Sequence, residues 1–142
     1  MRFVNKCIKG LGEVALRVED MDEMHRFYEE IIGLELIRRD AHSAFFKIGD
    51  GFGGHTQVLA LFDRSISPGF YGISTDKTTM DHFALEISLK DYDAEVSRLR
   101  QFGLDVSITT HLWVKWRSLY VSDPEGNKVE FVCLDETITS ET

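Results

Sequence analysis

Three side chains in this 142-residue sequence combine type and placement suited to holding a divalent cation: Glu13, His82 and Glu130. Glu13 opens the alternating run Glu13-Val-Ala-Leu-Arg-Val18, and His82 opens a second one, His82-Phe-Ala-Leu-Glu-Ile87. Glu130 lies within a third, Lys128-Val-Glu-Phe-Val132, on the face opposite Val129 and Phe131. Alternation of this kind marks a strand with one apolar face. A mid-strand carboxylate on the other face either meets water or lines a polar cavity. One imidazole and two carboxylates suit Mn, Fe(II), Ni or Zn. Three protein ligands would leave coordination positions open for substrate or water.

The elements that must position these residues follow in chain order. Residues 1–10 carry no clear period and read as a leader segment. After the strand at Glu13–Val18, Asp20 and Glu23 form a capping pattern at a helix start. Met24, Phe27, Tyr28, Ile31 and Ile32 make its apolar stripe, and Gly33 is the expected C-terminal cap. Strands are expected at Leu34–Arg39, His42–Ile48 and Gln57–Phe62, the last two separated by the glycine-rich Gly49–Gly54. That loop is no phosphate cradle, since neither a Lys-Ser pair nor a helix follows it. Residues 63–79 read as a linker, with Phe70 and Tyr71 as its apolar anchors.

The order then repeats. The strand at His82–Ile87 leads into a helix opened by Ser88-Leu-Lys-Asp91, with Tyr92, Val96, Leu99 and Phe102 as its stripe and Gly103 as its cap. Strands are expected at Leu104–Thr110, Val114–Val121 and Asn127–Val132. The turn Asp123-Pro-Glu-Gly-Asn127 precedes the last of them, with proline fixing φ and Gly or Asn tolerating a positive φ. Residues 135–142 read as a disordered, acidic tail.

The two halves register on each other at a period of about 70 residues. Val14-Ala15-Leu16 falls on Phe83-Ala84-Leu85, and Gly33-Leu34 falls on Gly103-Leu104. The predicted class is therefore α+β: two βαβββ modules in tandem, residues 11–62 and 80–134, whose curved mixed sheets enclose a cavity between their polar faces. In this register Glu13 matches His82, Arg17 matches Glu86 as a possible ion pair, and Glu130 matches Ala60. Glu13, His82 and Glu130 thus come from three strands able to converge.

This pattern resembles the glyoxalase/bleomycin-resistance/extradiol-dioxygenase superfamily, the vicinal-oxygen-chelate fold. The resemblance rests on Val14–Asp22 with Arg26-Phe-Tyr28, on Ile32–Leu36, on Asp81–Ser88 and on Tyr120–Glu130, and it covers Gly12 to Val132. It implies paired modules around a metal that binds adjacent substrate oxygens. His82 and Glu130 occupy two of the family's ligand positions. Glu13 stands where members usually carry His or Gln, and Ala60 where glyoxalase-type members carry a ligating Glu or Gln. Three-ligand members, such as extradiol dioxygenases and fosfomycin-resistance enzymes, do without that fourth residue. The implied protein is a homodimeric, divalent-metal-dependent lyase, isomerase or extradiol-type dioxygenase acting on a small organic substrate. The alternative is a metal-free small-molecule binding protein of the bleomycin-resistance type.

The totals bound the rest. A formal charge of -8 argues against nucleic acid and anionic membrane as partners. Hydrophobic content of 43% and a mean hydropathy of -0.16 describe an ordinary soluble domain without a membrane span. Cys7 and Cys133, far apart and without metal or redox spacing, suggest reduced thiols in a cytoplasmic protein. His55 and Gln57 are candidates for the cavity rim. Trp113, Trp116 and Tyr120, with Phe45 and Phe62, are candidates for an aromatic wall. His25, His42 and His111 have no motif context, and His25 reads as a surface residue.

Overall fold

The computed structural model describes residues 2–66 and 80–139, and it divides into two compact units, Met1–Gly69 and Phe70–Thr142. The first contains β1 (Glu13–Val18), α1 (Met21–Arg26), β2 (Glu35–Asp40), β3 (Ser43–Asp50) and β4 (Thr56–Asp63). The second contains β5 (Phe83–Glu86), α2 (Tyr92–Gln101), β6 (Ser107–His111), β7 (Trp116–Ser122) and β8 (Lys128–Leu134). Each unit is a βαβββ module. Strand order is β1-β4-β3-β2 in one sheet and β5-β8-β7-β6 in the other. Only the first and last strands of each module run parallel; their neighbours are antiparallel. The α+β class and the tandem modules agree with the internal repeat.

The burial pattern follows the alternation. In the first unit Leu16, Val18, Ala44, Phe46, Leu59 and Leu61 are buried together with Met24 of α1 and with Phe27 and Tyr28 just after it. The second unit buries Leu85, Leu119, Val121, Val129 and Phe131 against Tyr92, Val96 and Leu99 of α2. Full burial of each large apolar side chain stabilises by roughly 1.5–3 kcal/mol. Tyr92 also donates its hydroxyl to the Ser118 carbonyl at 2.7 Å, which pins α2 to the sheet.

The helix ends behave as their chemistry dictates. Asp20 accepts a hydrogen bond from the Glu23 N–H at 3.0 Å, and Gly33 closes the helix at φ 89°. Between them the helix widens into a π-turn over Phe27–Ile32. The capping and spacing signals do not distinguish that turn from a regular helix.

Several expectations are corrected. Phe102 does not join the α2 stripe: it follows the last helical residue and is 49% exposed, with the Arg98 guanidinium over its ring. Strands β6 and β7 begin at Ser107 and Trp116, later than expected; the start of β7 is delayed by a turn at residues 112–115 in which Lys115 takes φ 58°. The start of the expected disordered tail is anchored. Asp135 is buried and accepts two hydrogen bonds from Arg117, at 3.0 and 2.7 Å, and Ile138 is buried nearby in sequence. Phe70 and Tyr71, most of the linker and residues 140–142 lie outside the described residues.

Candidate metal centre

The register of the second sheet brings the site together. Glu130 pairs with Ala84 on β5 and with Tyr120 on β7, so its carboxylate leaves the sheet on the face away from α2. His82 immediately precedes β5, and its Nε2 lies 3.0 Å from Glu130 Oε1. The Glu130 side chain is 7% exposed and that of His82 34%. The carboxylate is thus buried, while the imidazole keeps about a third of its side chain open to solvent.

The surrounding groups hold both heads in place. Ser118 Oγ donates to Glu130 Oε2 at 2.5 Å, leaving Oε1 for His82. On the other side of the imidazole, Nδ1 lies 2.6 Å from Asp81 Oδ2. Hydrogen bonding to His82, aided by the charge of Lys128, holds the Asp81 carboxyl below its ordinary value. An ionised Asp81 accepts the Nδ1 proton and leaves Nε2 as the nitrogen aimed at Glu130. Tyr120 stands edge-on to His82, with ring centroids 5.9 Å apart. Burial and the Glu130 carboxylate push its phenol above the ordinary value. His111 Nε2 lies 3.2 Å from the Tyr120 hydroxyl and 4.0 Å from Glu130 Oε2.

Two donor heads of kinds that a divalent cation accepts, one imidazole nitrogen and one carboxylate oxygen, meet here. Two carboxylates flank one imidazole, and between Nε2 and Oε1 either a proton or a cation must offset two inward-facing lone pairs. An oriented His and an anchored carboxylate are borderline-hard donors matched to Mn, Fe(II), Ni or Zn. Among the described residues no cluster of three or more His, Cys, Asp or Glu side chains is arranged to hold a metal ion. The second unit contributes two donor heads.

The remaining expected residues fall as follows. Glu13 is exposed at the start of β1 in the first unit, in register with Val58. Arg17 and Glu86 are both exposed, in equivalent rows of β1 and β5. Ala60 is fully buried between Ala15 and Phe45, in the row that holds Glu130 in the other unit. His55 and Gln57 follow the glycine loop, whose tight closure puts the His55 carbonyl 2.7 Å from the Gly51 N–H. A Cβ on Gly51 would overlap that same carbonyl oxygen. Trp116 is 44% exposed, tilted against Trp113 at 6.3 Å. Phe45 and Phe62 meet edge-to-face at 5.7 Å, entirely within the first unit.

Ser118, Asp81 and His111 are the members that sequence reasoning missed. Asp81 and Ser118 had a usable signal: one adjoins His82, and the other lies two positions before Tyr120, hence on the same strand face. His111 had none, since its place depends on the β6–β7 pairing. His25, expected at the surface, is half-buried: Arg39 lies 3.1 Å from its Nδ1 and Glu29 2.5 Å from its Nε2.

The sequence pattern of the Glyoxalase/Bleomycin resistance protein/Dioxygenase superfamily matches residues 10–131, and the chain belongs to that superfamily. Glutathione transferase FosA of Serratia marcescens is 25% identical over 123 residues, covering 87% of this chain and 79% of that protein. Metallothiol transferase FosB of Staphylococcus haemolyticus is 24% identical over 124 residues, covering 87% and 82%. The crystal structure of lactoylglutathione lyase from Agrobacterium tumefaciens superimposes with a TM-score of 0.68 at 27% identity, covering 89% of this chain and 95% of that one.

Proposed function

We propose that the protein is a divalent-metal-dependent enzyme of this superfamily that acts on vicinal oxygens of a small organic substrate. The observation that carries this reading is the His82–Glu130 pair, 3.0 Å apart and held by Asp81 and Ser118 from either side. A metallothiol transferase among its relatives supports the same chemistry. His82 and Glu130 are the proposed ligands in the second unit. Glu13 is the proposed third, supplied within one chain or by a second copy in a homodimer.

When bound, the metal acts as a Lewis acid that polarises adjacent oxygens of the substrate. The chain's own residues do the rest. Ser118 fixes the rotamer of Glu130, and Asp81 fixes the tautomer of His82. Tyr120, kept protonated by burial and the adjacent carboxylate, supplies an O–H donor at the edge of the site. His111, 3.2 Å from that hydroxyl, orients it by a hydrogen bond. With Ala60 in place of a fourth donor, the reading favours the three-ligand branch over a glyoxalase-type site.

Elemental analysis of untagged protein tests this. Near-stoichiometric Mn, Fe, Ni or Zn that His82→Ala and Glu130→Ala both abolish is the expected result. Protein that is metal-free and cannot be reconstituted would overturn the reading in favour of the metal-free binding alternative. Screening hemithioacetals, catechols and epoxides on the loaded protein then separates the reaction types.

A further inference from the structure

The two sheets end on outer strands that are protected to very different degrees. In the first unit the outer strand is β2, and four of its six residues, Glu35, Arg38, Arg39 and Asp40, are charged. A bulge between Leu36 and Arg38 also breaks its pairing with β3. Charge and irregularity on an edge both oppose pairing with another chain. The outer strand of the second unit is β6, and it has neither. It carries no Asp, Glu, Lys or Arg, and it pairs with β7 in unbroken register from Ser107 to His111. Ser107, Ile108, Thr109 and Thr110 are all exposed, Ile108 at 50%, and exposed Leu112 and Trp113 continue the apolar strip. The outward N–H and C=O groups of such a strand are a template for one more strand.

Charge marks which strand fits. Asp105 lies just before β6 and Lys115 closes the turn after it, so the neutral strand has an acidic end and a basic end. Neither side chain forms an ion pair among the described residues. A second β6 laid antiparallel brings the Asp105 end of each strand to the Lys115 end of the other. A parallel one sets like charge against like, which is unfavourable. We propose that β6 is a self-association edge: two copies of this chain pair β6 against β6, antiparallel, and join their four-stranded second sheets into one continuous sheet. The pairing satisfies the outward backbone groups of both strands and covers Ile108, and no charge is buried along it. It is independent of the metal-dependent reading.

Hydrogen exchange on dilute and concentrated protein locates the edge. Amides of Ser107–His111 are expected to exchange about tenfold more slowly in the concentrated sample, with those of β2 unchanged. Sedimentation equilibrium measures the strength of the pairing. Ile108→Lys and Thr109→Lys, both at exposed positions, each set like charges together across the pair and are expected to weaken it about 100-fold. Ile37→Lys, on the protected β2 edge, is expected to change nothing. Asp105→Lys alone is expected to weaken the pairing about tenfold, and adding Lys115→Asp to restore it. Parent protein that stays monomeric, β6 exchange that ignores concentration, or association indifferent to both lysine variants would overturn the assignment. So would an Asp105→Lys/Lys115→Asp protein that associates no better than Asp105→Lys, because antiparallel pairing makes that exchange neutral.

Discussion

The two units share one scaffold and differ in what they mount on it. Strand order, parallel closure and helix placement are the same in both, and the central rows of the registers correspond, although the first sheet has bulges at Leu36/Arg38 and Lys47/Gly49 that the second lacks. Where the second unit places Glu130 beside Tyr120, the first places Ala60 beside Phe45. Where the second has Val132 beside Ser118, the first has Phe62 beside Ser43. One sheet face therefore carries a hydrogen-bonded carboxylate–imidazole pair, and its counterpart carries an aromatic pair over a buried alanine. A buried carboxylate is tolerated only where donors surround it. The second unit provides a donor in Ser118 and a proton- or cation-sharing partner in His82, and the side chains flanking Ala60 provide neither. The difference shows that two copies of one module can carry a polar pair on one non-helix face and an apolar one on the other without a change of strand order.

The most direct way to break this comparison is to exchange the contrasting residues. Ala60→Glu puts an unpaired carboxylate between Ala15 and Phe45, and denaturant unfolding is expected to show a loss of about 3–5 kcal/mol. A loss below about 1 kcal/mol would mean that the first face accommodates a charge as readily as the second. The reciprocal Glu130→Ala removes a charge and strands only its donors, for an expected loss of about 1–3 kcal/mol in the same assay.

The outer contacts of the second face sharpen it further. Asp81→Asn and Ser118→Ala are each expected to weaken metal affinity about 10- to 100-fold, read by competition with a chromophoric chelator. The equivalent Ser43→Ala in the first unit is expected to leave that affinity unchanged. Equal effects from Ser118→Ala and Ser43→Ala would erase the distinction between the faces.

A smaller effect distinguishes the connecting turns. Gly126 takes φ 87° in the turn before β8, and Gly126→Ala is expected to cost about 1–2 kcal/mol from left-handed strain alone. In the first unit the constraint is contact rather than dihedral. Gly51→Ala meets the His55 carbonyl oxygen, and its expected signature is displaced His55 and Gln57 resonances in an NMR spectrum.

The least effect is expected from acid. Hydrogen bonds from Ser65 and His42 hold Asp63 in the first unit at about 2. Hydrogen bonds from Thr137 and Arg117 hold Asp135 in the second below its ordinary value. A carboxyl depressed in the folded state stabilises fully above its unfolded value near ~3.9, and that stability is lost as pH falls through the folded value. Thermal melts from pH 5 to pH 2 should therefore fall less steeply for Asp63→Asn and Asp135→Asn than for the parent protein. An identical slope in both variants would remove these residues from the acid response.

Much of the scaffold was legible from local chemistry. The Asp20 cap, the glycines at 33 and 103 and the alternation in Glu13–Val18 and Lys128–Val132 each act over a few residues, so the chain spells them out. The π-turn at Phe27–Ile32 and the late start of β6 and β7 were not legible, because hydrogen-bond spacing and pairing choose them over equivalent local options. At the site, His82 and Glu130 were recoverable through the repeat. His111 was invisible, since it reaches Tyr120 only through a hairpin pairing that its neighbours in sequence do not announce. Asp135 was misread as part of a disordered tail because its partner, Arg117, is distant in the chain.

By itself the sequence determined the class of fold, the tandem modules and the face on which each candidate ligand stands, since alternation and the repeat depend only on residue order. Tertiary structure decided which of those residues act together. It set the 3.0 Å approach of His82 to Glu130, the recruitment of Ser118, Asp81 and His111, and the pairing of Phe45 with Phe62 over Ala60. These depend on register across strands, and a one-residue slip would turn every one of those side chains to the opposite face.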